Sequence, residues 1–156
     1  TITVSGKVQN TDDITLKYAI GAPHGEKSFG NAVVALEGDK IIAASIDEYQ
    51  YLEAGKTKLD VKSDFAKSYA KDNIVLGSKL ENDEAYSTLM KDKAKATKSI
   101  KENFEAIENF VAGKTINEVK DVIADAKPGE AIEAVSGATL VDTAGYLQLI
   151  VDAAEK

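Results

Sequence analysis

Apolar and polar positions divide the chain into a strand-like first third and a helical remainder. Residues 2–8 (ITVSGKV) alternate weakly and residues 14–20 (ITLKYAI) alternate better, the period of a half-buried strand. A loop marked by Gly and Pro follows over residues 21–31. Residues 32–46 (AVVALEGDKIIAASI) hold two apolar, β-branched runs around Gly38-Asp39, a pair suited to a tight turn, and predict a hairpin. Residues 47–82 are mixed and polar, with Gly55 and Gly77 as breakers, so loops and short turns are expected there.

From residue 83 the period changes. Tyr86, Leu89/Met90, Thr97, Ile100, Phe104, Ile107 and Val111 recur every three or four residues, the stripe of a core-facing helix. The spacing predicts one long amphipathic helix over 83–112, roughly 40 Å in length. Asn82 or Asp83 would cap its start and Gly113 would end it. Lys91-Asp92-Lys93 reads as a solvated face. Thr115-Ile116-Asn117-Glu118 has the form of a capping box, so a short helix should run to about Ala126 and stop at Pro128-Gly129. A last helix over about 142–155 would bury Ala144, Leu147, Ile150, Val151 and Ala154. Strands first and helices later predict an α+β fold, with helices packed on a mainly antiparallel sheet. At 156 residues the chain suits a single domain.

Composition removes several function classes. The 26 acidic side chains outnumber the 19 basic ones, giving a net charge of −7, and every basic residue is Lys. Nucleic acid, which favours Arg forks and a basic face, is a poor partner. Without Cys, and with His24 as the only His, the usual zinc and iron–sulfur sites are excluded. No apolar run approaches the ~20 residues of a membrane span. The start at Thr1 reads as a processed or trimmed end, as in an exported protein freed of its signal.

Candidate chemistry concentrates between the last two helices, in Glu133-Ala134-Val135-Ser136-Gly137-Ala138-Thr139-Leu140. Small side chains allow close backbone approach, and free N–H groups at a helix start favour an anion. With hydroxyls on Ser136 and Thr139, the segment allows a phosphate site, a modified hydroxyl, or simply a capped helix start.

Ser136-Gly137-Ala138-Thr139, with an acid three residues earlier and a helix afterwards, resembles the signature of the FMN-binding domain family. That domain occurs in the C and G subunits of sodium-pumping NADH:quinone oxidoreductase and Rnf complexes, and in exported Gram-positive flavoproteins. The hairpin with Gly38-Asp39-Lys40-Ile41 is similar to the family's strand–turn–strand, where Asp-Gly-Lys-Ile is frequent. On this resemblance residues 48–129 would be an insertion of loops and helices in one FMN-binding-like domain covering 1–156. The resemblance implies FMN joined by a phosphodiester to Thr139, with Ser136, Gly137 and Ala138 as the surrounding turn. Glu133 stands where the family usually has Asp, the acid a maturing flavin transferase would read. That transferase uses FAD and Mg²⁺ outside the cytoplasm.

The implied function is an extracytoplasmic electron carrier, at the cell surface or membrane-anchored through an anchor outside this chain. A membrane redox complex or a terminal reductase would be its electron partner. A cofactor-free binding module for a protein or small ligand, and a reductase using noncovalent FMN, are the alternatives. His24 could contact the flavin or relay a proton, or be a plain loop histidine. Tyr49, within Asp47-Glu48-Tyr49-Gln50-Tyr51, could stack on the flavin ring or be a rim aromatic. Asp47 and Glu48 are poorly placed as an acid–base pair, because neighbouring strand residues point to opposite faces.

Overall fold

The computed structural model describes residues 13–57 and 73–156. The strand expected over residues 2–8 lies outside the described residues. The fold is α+β, as the order of elements predicts. An antiparallel sheet in the order β1-β2-β3-β4 comprises β1 (Ile14–Gly21), β2 (Ser28–Glu37), β3 (Lys40–Glu53) and β4 (Ile74–Ser78). The predicted hairpin is β2–β3: Glu37 pairs with Lys40 across Gly38-Asp39, and Gly38 adopts φ +62°. Both strands run longer than expected. β2 begins inside the predicted loop and β3 continues to Glu53, followed by a single 3-10 turn, Ala54–Lys56. β4 also falls in the stretch expected to be loop.

Four helices follow: α1 (Asp83–Ala94), α2 (Ile100–Val111), α3 (Ile116–Asp125) and α4 (Thr143–Ala154). The single helix expected over 83–112 is therefore two. Lys95, at φ 53°, ends α1 in a left-handed conformation. Ser99 and Glu102 then form a reciprocal capping box at the start of α2. Its next two N–H groups are also satisfied, Ile100 N–H by Ser87 Oγ at 2.9 Å and Lys101 N–H by Asp83 Oδ1 at 2.9 Å. Three caps thus fix a new helix start, and α1 itself supplies two of them. Gly113, at φ +87°, follows the end of α2 as predicted, and Thr115 and Glu118 form the predicted capping box of α3.

α2 and α4 cover one face of the sheet. Phe104, Ile107 and Val111 of α2 and Tyr146, Leu147, Ile150 and Val151 of α4 are fully buried against Val34, Ile41, Ala44 and Ile46. α4 is buried nearly all round, since Tyr146, Leu149 and Ala153 join the predicted stripe. Residues 48–129 thus contribute β4 to the sheet and α2 to the core. On the outward face, Leu16, Tyr18 and Ile20 of β1 are 71%, 64% and 65% exposed, and no described element covers them.

The outer side of β3 has three successive covers. Near its start, Ile41 exchanges backbone hydrogen bonds with Gly113 and Lys114. Further on, the Glu108 carboxylate accepts from Ile46 N–H at 2.8 Å. From Tyr49 onward β4 takes over. A buried Glu48–Lys79 ion pair sits at this junction, both side chains at most 1% exposed. Tyr146 of α4 donates its hydroxyl to Glu48 Oε1 at 3.1 Å, and the Lys79 ammonium lies 4.7 Å from the Tyr86 ring centroid.

Candidate functional site

The 132–139 segment is a chain of tight turns held against α2. Val135 N–H donates to Ile132 O at 3.0 Å and Ala138 N–H to Val135 O at 3.1 Å. Ile132, Val135 and Ala138 are buried, so every third side chain anchors the segment in the core. Ser136 and Gly137 form the corner of the second turn, and Gly137 has φ +94°. A turn with positive φ at its third position calls for Gly there. A Cβ on Gly137 would also lie 3.2 Å from Ala106 Cβ and 3.6 Å from Lys98 Nζ. Conformation therefore favours glycine here, and the tight approach to Ala106 adds to the cost of a side chain.

Thr139 leaves the turn exposed to solvent, as do Ser136 and Glu133. Its N–H donates to Asn103 Oδ1 at 2.6 Å, and its hydroxyl lies 3.3 Å from the same oxygen. Asn103 is 1% exposed and donates its Nδ2 to Ser99 O at 2.8 Å. Beside the turn, Ser136 lines a groove of about 440 Å³ with Lys98, Asn109 and Phe110. The groove carries a cation and an aromatic ring, and also the acids Glu102 and Glu105.

The turn does not feed directly into a helix start. α4 begins at Thr143, with Asp142 as its N-cap residue. Thr143 N–H donates to Leu140 O, and the N–H groups of Gly145 and Tyr146 to Asp142 O. The β1–β2 loop closes over this end: a Cβ on Gly145 would meet the Pro23 carbonyl oxygen at 2.2 Å. His24 Nδ1 lies 2.7 Å from Asp142 Oδ2. Backbone carbonyls thus take the N–H groups of Thr143, Gly145 and Tyr146, and the Asp142 carboxylate stands beside this end without capping it, so it offers no open anion cradle. Any phosphate at the motif would be held by the turn and its α2 neighbours instead.

Of the residues singled out from sequence, Ser136, Gly137, Ala138 and Thr139 form one compact turn. His24 reaches the same end of the molecule through Asp142. Tyr49 does not. Its neighbour Glu48 points into the helical layer, so alternation sets Tyr49 on the opposite face, stacked on Phe29 at 5.3 Å. Burial and the nearby Asp47 carboxylate raise the Tyr49 hydroxyl above its ordinary range. Asp47 and Glu48 do take different partners. Asp47 accepts from the Ser78 hydroxyl and from Leu80 N–H at 3.2 Å, whereas Glu48 pairs with Lys79. Burial raises the Asp47 pKa, against the opposing effect of those hydrogen bonds.

Sequence reasoning missed Asn103, Lys98 and Glu108. Asn103 carried a visible signal, since a polar residue directly beside Phe104 on an apolar stripe asks for a buried partner. Glu108, next to the buried Ile107, carried the same one. Burial pushes its carboxyl from 4.5 up to about 7.

No family model, curated protein or solved structure matches the chain. Among the described residues no cluster of His, Asp and Glu could hold a metal ion, and no helix is long and apolar enough to cross a membrane.

Proposed function

We propose that this protein is an extracytoplasmic electron carrier holding FMN covalently on Thr139 through a phosphodiester. The observation that carries the reading is an exposed residue, Thr139, bearing a hydroxyl at the end of a small-residue turn fixed to α2. A nucleophile destined for a transferase must be reachable from solvent and held in a defined pose. The Lys98 ammonium beside the turn offers a counter-charge for phosphate, and Phe110 gives the adjacent groove an apolar wall, while Glu102 and Glu105 line the groove further on and favour the uncharged ring there over the phosphate. Bound FMN supplies the one- and two-electron chemistry, and the protein supplies attachment, orientation and electrostatic environment. A flavin transferase is the maturation partner, and a membrane redox complex or terminal reductase the electron partner.

Intact-mass spectrometry of denatured protein, produced with an active flavin transferase, tests this directly. The expected gain equals FMN minus water, absent in Thr139→Ala. An unmodified chain, with the transferase active on a control substrate, refutes it. Flavin released on denaturation would point instead to a noncovalent FMN reductase.

One observation favours a second reading, a cofactor-free binding module. The outward side chains of β1 form an exposed apolar strip of the kind that marks interaction surfaces. On that reading Thr139→Ala leaves function intact and added flavin does not change the melting temperature.

A further inference from the structure

We infer that Asn103 is the positioning residue that presents the Thr139 hydroxyl for modification; this rests on the flavin reading above. Asn103 is a polar side chain inside the core at 1% exposure, and both of its polar ends are hydrogen-bonded. Its two polar ends have separate tasks. Nδ2 donates to Ser99 O at 2.8 Å, which ties the amide to the first turn of α2 and fixes which end faces outward. Oδ1 then points at Thr139, accepting its N–H at 2.6 Å with the hydroxyl at 3.3 Å.

The consequence for Thr139 is directional. A hydroxyl that donates toward Asn103 Oδ1 engages its proton on the protein side. Its lone pairs are left facing solvent, the side from which a phosphorus electrophile must arrive. The transfer forms a bond between Thr139 Oγ1 and the phosphorus on the FMN side of the FAD pyrophosphate. It breaks that pyrophosphate P–O bond, so AMP leaves, and the hydroxyl proton passes to a base of the transferase. An amide oxygen is too weak a base to take that proton, so Asn103 orients and does not catalyse. The neighbouring hydroxyl, on Ser136, is exposed at the corner of the turn with no hydrogen bond to Asn103. The same contact therefore selects Thr139 over Ser136.

The test measures the rate of flavin incorporation by intact mass, with FAD, Mg²⁺ and purified transferase. Asn103→Ala and the near-isosteric Asn103→Leu are compared with the wild type and with Ile107→Val. Ile107→Val is a buried change on the same helix that keeps the Asn103 amide and its hydrogen bonds to Ser99 and Thr139. Amide hydrogen exchange at Thr139 is followed in parallel. The expected result is a tenfold or greater loss of rate in the Asn103 variants, with loss of Thr139 amide protection and unchanged protection within α2. Ile107→Val should modify at the wild-type rate. Asn103→Leu keeps the experiment interpretable if Asn103→Ala does not fold. Wild-type rates in a folded Asn103 variant overturn the role of Asn103 while leaving the flavin reading intact. A wild-type chain that is never modified overturns both.

Discussion

Two glycines and one carboxylate show how far single residues depart from general expectation. Gly145 lies inside α4, where Ala ordinarily stabilises a helix by about 1 kcal/mol. Here a Cβ would sit 2.2 Å from the Pro23 carbonyl oxygen, a backbone atom that cannot swing aside. Gly145→Ala is therefore expected to destabilise, by about 2 kcal/mol or more, read as a lower midpoint in urea. Gly137→Ala should cost about 1–2 kcal/mol in the same experiment, because φ +94° is strained for an L side chain. Glu108 imposes a pH dependence. Its folded-state pKa of about 7 exceeds the ordinary 4.5, so between these values the folded protein holds a proton that the unfolded chain has released. Stability falls as pH rises through that window, by on the order of 3 kcal/mol once pH exceeds 7. Glu108→Gln keeps an oxygen for Ile46 N–H and removes the titration. Its melting temperature should match the wild type at pH 4 and exceed it by several degrees at pH 8. Equal pH profiles for the two proteins would rule this out.

At the scale of elements, the division between α1 and α2 is held by identifiable contacts. Ser99→Ala removes the acceptor for Glu102 N–H and half of the capping box. The expected loss is about 1 kcal/mol by denaturant unfolding. Glu102→Gln, which can still reach Ser99 N–H, should lose much less. The same division shows what sequence reading captures. Hydrophobic period located β1, the β2–β3 hairpin and α4, and the Thr115–Glu118 capping box located α3, because each signal lies within its own element or turn. It merged α1 with α2 because the apolar residues of both helices stay roughly in phase across 95–99. The Ser99-x-x-Glu102 spacing of a capping box is present in the sequence, but the continuous stripe leaves no reason to look for a helix start there. β4 was invisible for another reason. Its five residues include Gly77 and take strand form only because β3 offers a partner edge. The motif turn was legible as small residues and hydroxyls. Its support on Asn103, 36 positions away in the chain, was not.

In the whole molecule, sheet, helices and the 78–80 corner converge on Glu48 and Lys79. Glu48 comes from β3, Lys79 follows β4, Tyr146 belongs to α4 and Tyr86 to α1. A Glu–Lys pair withdrawn from water gains little net stability, but removing one partner strands a charge in the interior. Lys79→Met should accordingly destabilise by about 3–5 kcal/mol, and the double variant Glu48→Met/Lys79→Met by clearly less. A double-mutant cycle in urea measures that difference, and additive losses would show that the two side chains are not coupled. The burial of Lys79 has a practical consequence too. An amine-reactive label added to the native protein will decorate exposed lysines within minutes and spare this one. Lys79 becomes reactive only when the layers around it separate. The slow appearance of label in the peptide that carries it would time the opening of the core under conditions where no denaturant is present.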